Sequence, residues 1–253
     1  MKAMILAAGL GTRLRPLTDD RPKALVAVAG RTLLEIALCR LRDFGVHEVI
    51  INTHHYAEMI HNYLQANDNF GMRIEVSREE VLLDTGGGLK NAAWFFLDSN
   101  GSIQEPFILH NVDIISTIDL RSMVRFHTEQ NALATLAVQD RETSRYLLFD
   151  GQAQLCGRQA GRDGNAELVR PASEVHALAF SGIHVISPHS FAKVAEQGVF
   201  SIITSYLNLA AKGEKIAAFR ADEYYWRDLG RPENILEAAQ DMASGKYPGE
   251  CRK

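Results

Sequence analysis

The chain has 253 residues, 46% of them apolar and only 7 proline, enough to bury a large core as one sizeable α/β domain or two small ones. Lys and Arg total 27 against 31 Asp and Glu, and the net charge of -4 excludes the broad basic footprint of sequence-independent nucleic-acid binding. It does not exclude a small anionic ligand, because a local cluster of Arg and Lys can outweigh the global sign.

Along the first two-thirds of the chain, strand-like and helix-like segments alternate. Ala3 to Ala8 is a short apolar run ending at a glycine loop. Gly9, Gly11 and Arg13 break it too early for a signal-peptide core or a membrane span. Thr32 opens a helix, Glu35 completes a capping box, and Gly45 stops the helix after the apolar positions Leu34, Ile36, Leu38, Leu41 and Phe44. Val49 to Ile51 is the next strand, followed by an amphipathic segment through Met59, Ile60, Tyr63 and Leu64. Arg73 to Val76 is strand-like, Leu89 to Leu97 helical, and Phe107 to Leu109 a strand. Asp119 caps a helix to about His127, and Leu133 to Val138 closes the series as a strand. Strands separated by helical crossovers predict a mostly parallel sheet covered on both faces.

After Asp140 the register changes. Tyr146 to Phe149 and Ala153 to Leu155 read as a hairpin around Asp150-Gly151, and the polar, Gly-containing stretch from Cys156 to Arg170 as a loop. Pro232 begins a last helix. No internal repeat or low-complexity linker is present, so residues 1–253 read as a single domain without a C-terminal β-helix. Cys39, Cys156 and Cys251 are scattered and form no CxxC, which suggests neither a disulfide framework nor a zinc site and fits a reducing, cytoplasmic compartment. No membrane or nucleic-acid partner is expected, and oligomeric state is not legible from sequence.

The loop Gly9-Leu10-Gly11-Thr12-Arg13 follows the first strand, where glycines let backbone N–H groups approach a phosphate. Between Gly9 and Gly30, Arg13, Arg15, Arg21 and Lys23 are opposed only by Asp19 and Asp20. Arg offers a planar fork to phosphate oxygens and Lys a compact point charge. Pro16 and Pro22 make this a shaped loop and not a solvated helix face. The loop lacks G-x-x-x-x-G-K-[ST], and Pro16 stands where a dinucleotide-binding helix would begin.

Leu6-Ala7-Ala8-Gly9-Leu10-Gly11-Thr12-Arg13-Leu14-Arg15-Pro16-Leu17-Thr18, followed by Pro22-Lys23-Ala24-Leu25, resembles the opening of the sugar-nucleotide pyrophosphorylase family. The resemblance runs along most of the chain and implies a Rossmann-like α/β/α sandwich with a mostly parallel mixed sheet. It implies that the backbone of Ala8, Gly9, Gly11 and Thr12 cradles a triphosphate, that Arg13 steadies departing pyrophosphate, and that Lys23 neutralises the reacting phosphate. Two family prolines are replaced by Ala24 and Ala27, which predicts only a slightly looser loop.

Nucleotidyl transfer between anions requires charge neutralisation, and carboxylates that hold Mg²⁺ beside the phosphates supply it. Asp113 lies just beyond the carboxyl end of a buried strand, the edge where open α/β sheets bind ligands, and Asp228 lies between a strand-like run and a helix. Each on its own reads more readily as a turn or N-cap aspartate than as a metal ligand. The resemblance makes both metal ligands, with Val112 and Arg231 standing where the family has a small residue and a threonine.

Asp84-Thr85-Gly86-Gly87-Gly88 resembles the family's second nucleotide loop, with Gly86 and Gly87 close to base and ribose. Phe180-Ser181-Gly182-Ile183 resembles the strand whose glycine, here Gly182, makes room for the sugar, and Asn111 is the candidate for a sugar hydroxyl contact. A family lysine that grips the sugar phosphate is missing; Leu168-Val169-Arg170-Pro171 offers Arg170 in its place. His54-His55 reads as a loop or capping pair, since adjacent side chains diverge and no third metal ligand is evident.

These features imply a Mg²⁺-dependent enzyme with two partners, a nucleoside triphosphate and a sugar 1-phosphate. The expected reaction is an in-line displacement at the α-phosphorus, needing no covalent intermediate and no general base. The Asp-Thr-Gly-Gly-Gly loop and the short chain most resemble the family's N-acetylmuramate-1-phosphate uridylyltransferase members, which implies UTP with N-acetylmuramate 1-phosphate and a cell-wall role; resemblance to its mannose- and heptose-1-phosphate guanylyltransferases implies GTP with mannose or heptose 1-phosphate as the alternative. A non-catalytic nucleotide-binding regulatory subunit is the alternative of another class.

Overall fold

The computed structural model describes residues 1–97 and 105–247; Cys251 lies outside the described residues. The chain packs as two compact units, each with its own strands and helices. The first comprises Met1–Asp84, Leu109–Ile118 and Tyr224–Lys253, the second Thr85–Ile108 and Asp119–Glu223.

In the first unit, strands Lys2–Leu6, Glu48–Thr53 and Arg73–Arg78 pair in parallel, with Leu6 opposite Asn52 and Thr53 opposite Arg78. Their central residues Ala3 to Ile5 and Val49 to Ile51 are buried, as a strand covered on both faces requires. The parallel register brings the carboxyl ends of all three strands to one edge, so the segments beginning at Ala7, His54 and Glu79 leave the sheet side by side.

Helix Leu33–Phe44 makes the first crossover. Leu33, Leu34, Ile36, Ala37, Leu38 and Leu41 form its buried face. Helix Ala57–Ala66 makes the second and buries Ile60 and Leu64, while Met59 stays exposed. Strands Ile114–Ser116 and Trp226–Asp228 form a separate antiparallel ribbon, and helix Pro232–Ala243 follows it.

The second unit is built on strand Ala134–Gln139, buried throughout, with His176–Ile186 antiparallel on one side and Ile216–Arg220 parallel on the other. Helix Leu120–Glu129 is capped as expected, Asp119 accepting from the Arg121 N–H at 2.9 Å. Phe107 stacks on Phe96 at 3.9 Å and on Phe191 at 5.7 Å, anchoring the helical segment before it.

Three expectations need correction. Asp84 to Gly88 does not precede a helix but forms the first turn of helix Asp84–Asn91. The polar stretch after Cys156 is not a loop: Leu155–Ala160 and Ala166–Leu168 are antiparallel strands, with Gly157 opposite Leu168. Its polar composition belongs to an outer ladder half exposed to water, where β-pairing does not demand apolar residues on both faces. The hairpin around Asp150-Gly151 does form, pairing Arg145–Phe149 with Leu155–Ala160, but its loop spans residues 150–154. Asp150 accepts from the N–H groups of Gln152 and Gln154, both at 2.9 Å, and Ala153 takes the left-handed conformation. Among the described residues, Cys156 is buried and free.

Candidate active site

Arg13, Lys23, Asn111, Asp113 and Asp228 all fall in the first unit. Asn111 ends strand Phe107–Asn111, and the Val112 N–H donates to the Leu6 carbonyl at 3.1 Å, which brings the Asn111–Asp113 turn beside the start of the glycine loop. Val112 itself is buried and packs inward.

The ribbon holds the two aspartates together. Ile114 sits opposite Asp228, and the Leu229 N–H donates to the Asp113 carbonyl at 2.8 Å. Asp228 is further fixed at both ends: its Oδ1 accepts from the Gly230 N–H at 2.7 Å and its carbonyl from Asn234 Nδ2 at 2.6 Å. Next to it, Arg227 reaches Asp241 through Nη2 at 2.6 Å and Tyr225 through Nε at 3.2 Å, tying the ribbon to the last helix.

Lys23 Nζ forms an ion pair with Asp113 Oδ2, and both side chains are largely buried, 12% and 16% exposed. Arg13 approaches Asp228 over Gly230. A Cβ at Gly230 would stand 2.8 Å from Asp228 Oδ1 and 2.9 Å from Arg13 Nη2, so only glycine leaves room for both. Burial raises the pKa of Asp228, and the neighbouring Asp113 charge raises it further; the Gly230 N–H, Lys23 and Arg13 act in the opposite direction. The result is two carboxylates and two cations compressed at a strand edge.

The glycine loop lies on this cluster. Gly11 is left-handed (φ +65), and its surroundings leave no space for a side chain, with Thr18 Cγ2 2.9 Å and Lys23 Cβ 3.1 Å from a Cβ placed there. Thr18 Oγ1 donates to the Gly11 carbonyl at 2.9 Å. Gly9 differs: a Cβ there would meet nothing within 4 Å. Among the described residues, the N–H groups of Gly9, Leu10 and Gly11 have no protein acceptor. Ala8 is buried and Thr12 exposed.

Of the four basic residues expected around the loop, only Arg13 and Lys23 join the carboxylates. Arg15 pairs with Asp19 at 3.5 Å and Arg21 with Asp20 at 2.8 Å, all four well exposed. Solvent reduces such pairs to little. Arg170 is committed too, pairing with Asp150 and donating from Nε to the Leu155 carbonyl at 2.9 Å. His54 Nδ1 bonds the Glu79 carbonyl at 2.9 Å, tying the exits of two parallel strands together and not capping a helix. His110 is fully buried, and burial lowers its pKa to about 4.

Gly86, Gly87 and Gly182 belong to the second unit. The N–H groups of Gly86 and Gly87 both donate to the Phe200 carbonyl, at 2.9 and 3.2 Å. A Cβ at Gly86 would stand 2.4 Å from the Phe200 ring. That glycine is therefore required by packing alone. Gly182 has φ +75 within strand His176–Ile186, where the ladder to Ala134–Gln139 shifts register between Phe180 and His184.

Sequence reasoning missed Asn52 and Glu79, both 3% exposed and hydrogen-bonded to each other. A polar residue closing the buried run Val49 to Ile51 was the available signal.

A model of the family described as nucleotidyl transferase matches residues 2–245. The chain is 33% identical over 249 residues to the N-acetylmuramate alpha-1-phosphate uridylyltransferase of Caulobacter vibrioides, a match covering 95% of this chain and 96% of the relative. It is 28% identical over 254 residues to a mannose-1-phosphate guanylyltransferase of Mycobacterium tuberculosis, covering 97% of this chain and 66% of that one. Among solved structures, HddC from Yersinia pseudotuberculosis complexed with GMP-PN aligns with a TM-score of 0.72 at 22% identity, covering 95% of this chain and 99% of HddC, which shows a shared fold.

Proposed function

Because the chain belongs to the nucleotidyl transferase family, we propose that it joins a nucleoside triphosphate to a sugar 1-phosphate and releases pyrophosphate. The pair we favour is UTP with N-acetylmuramate 1-phosphate, which the near full-length match to the Caulobacter uridylyltransferase supports. The observation that carries the reaction class is the Lys23–Asp113 pair beside Asp228 and Arg13, below a loop with unengaged N–H groups.

Each part has a role in displacement at phosphorus. The N–H groups of Gly9, Leu10 and Gly11 bind triphosphate oxygens without bringing net charge, and Arg13 offers its fork to the pyrophosphate that leaves. Lys23 places an ammonium where charge concentrates on the reacting phosphate. The attacking oxygen of a sugar phosphate is ionised at neutral pH, so no side chain has to remove a proton. Asn111 stands at the strand end as a partner for a sugar hydroxyl.

Asp113 and Asp228 fit a divalent cation. They are hard oxygen donors held close enough that the charge of one raises the pKa of the other, a repulsion that a bound Mg²⁺ relieves. Among the described residues no group of three or more His, Cys, Asp or Glu is assembled, so the protein would hold the ion through Asp113 and Asp228 and leave its other positions to phosphate or water oxygens. When bound, the ion neutralises phosphate charge during transfer.

The test is pyrophosphate release in the presence of Mg²⁺, with each ribonucleoside triphosphate against N-acetylmuramate, mannose, heptose and glucose 1-phosphates. UTP with the first should be turned over best. Selective turnover of GTP with mannose or heptose 1-phosphate would move the assignment to the guanylyl branch represented by the Mycobacterium relative. Asp113→Asn and Asp228→Asn should each lower kcat by about a thousandfold or more. Because burial and Asp113 raise the Asp228 pKa, ionising Asp228 weakens folding as the pH climbs above 3.8. Asp228→Asn should therefore melt no lower than wild type at pH 7. Nucleotide binding by folded protein with no turnover on any pair would support a regulatory subunit instead.

A further inference from the structure

The parallel register places Leu6 opposite Asn52, and Asn52 opposite Ser77, so three strand ends converge where the chain leaves the sheet. There, Asn52 Oδ1 accepts from the Ala7 N–H at 2.8 Å, and Asn52 Nδ2 donates to Glu79 Oε1 at 2.7 Å. Glu79 Oε2 in turn accepts from the Leu83 N–H at 2.9 Å, while the Glu79 N–H donates to the Thr53 carbonyl at 2.7 Å. Among the described residues no cation pairs with Glu79. A buried carboxyl without an ionic partner is costly, and an apolar strand end would serve stability as well.

What the pair does is connect two functional segments. Ala7 begins the phosphate loop, and Leu83 ends the segment that leads into the Asp84–Asn91 helix. His54, Arg78, Glu79 and Glu80 also line an open cavity of about 490 Å³, a volume in the range of small-ligand sites. We propose that Asn52 and Glu79 are positioning residues for nucleotide binding, locking the phosphate loop to the 79–83 segment through a directional hydrogen-bond relay. This rests on the nucleotidyltransferase reading above.

The relay has a direction that permits a sharp test. Two backbone donors, from Ala7 and Leu83, point inward at its ends, so the two side chains between them must supply three acceptor oxygens and one donor. Asn52 and Glu79 do so. Glu79→Gln supplies a second amide, and no flip of either side chain then avoids facing one donor with another. Asn52→Asp sets two carboxyl groups against each other. The double variant Asn52→Asp with Glu79→Gln exchanges the two functional groups and restores every hydrogen bond in the same space.

Steady-state kinetics of wild type, both single variants and the double should show KM for the triphosphate raised about tenfold or more in each single variant. The effect on kcat should be smaller, and KM should return to within about threefold of wild type in the double. A double variant no better than the worse single one overturns the proposal, as does an unchanged KM in the singles. Loss of kcat and melting temperature together, without a KM effect, would show a purely structural role and also overturn it. Should the mismatched singles fail to fold, Asn52→Ser shortens the relay without opposing like groups and should still raise KM. Wild-type protein that binds UTP without turnover would sink the assigned reaction but leave this test standing on UTP dissociation constants. Protein that binds no nucleotide would remove both.

Discussion

Gly9 and Gly11 lie two residues apart in one loop, yet the structure demands them for different reasons. Gly11 is held by left-handed backbone and by Thr18 and Lys23 pressing on the site of its missing Cβ. Gly9 has open space above it and no positive φ, so nothing in the fold requires glycine there. What a side chain at Gly9 would obstruct is the approach of a ligand to the unengaged N–H groups. Gly9→Ala should consequently fold with a melting temperature equal to or slightly above wild type, since the substitution removes freedom from the unfolded chain. KM for the triphosphate should rise about tenfold; unchanged kinetics would detach this loop from phosphate binding.

At the scale of elements, the first crossover helix shows how local rules and tertiary contacts divide the work. Thr32 Oγ1 accepts from the Glu35 N–H at 3.1 Å, the forward half of the capping box. The return half is not made by Glu35, whose carboxylate bonds Arg31 Nε at 2.8 Å and the Tyr63 hydroxyl at 3.3 Å. Thr32→Ala should therefore cost about 1 kcal/mol, measured by thermal or denaturant unfolding, with KM unaffected. The same division explains the ladder after Cys156. Period and apolarity identify strands that are buried, such as Ala134–Gln139, but the Ala166–Leu168 edge is exposed at every residue and carries no such pattern.

For the whole molecule, acid sensitivity follows from two histidines that folding keeps neutral, one in each unit. Burial lowers the pKa of both His110 and His127 to about 4, and His127 Nδ1 also bonds Thr135 Oγ1 at 2.9 Å. The unfolded chain takes up these protons near pH 6.5, while the folded chain resists until about pH 4. Their contribution to stability is thus complete above pH 6.5 and is lost progressively as pH falls toward 4. Melting temperature should decline across that window, and His127→Gln should flatten part of the decline. A melting temperature constant from pH 7 to 4 would show that neither histidine is coupled to folding.

No described helix is long and apolar enough to cross a membrane. The motif-bearing residues Arg13, Lys23, Asp113 and Asp228 were legible in the chain because each sits at a boundary marked by local chemistry: a glycine loop, a proline turn, or the end of an apolar run. The α/β class was legible for a related reason, since strand and helix periodicities are written in consecutive residues. Other properties exist only once distant segments meet. Among them are the pairing of Lys23 with Asp113 across 90 residues, the diversion of Arg15, Arg21 and Arg170 to other partners, and the occupation of the Gly86 and Gly87 N–H groups by Phe200. The Asn52–Glu79 relay is of the same kind: its place at the end of a buried run was legible, but which residue Asn52 bonds depends on which strands become neighbours.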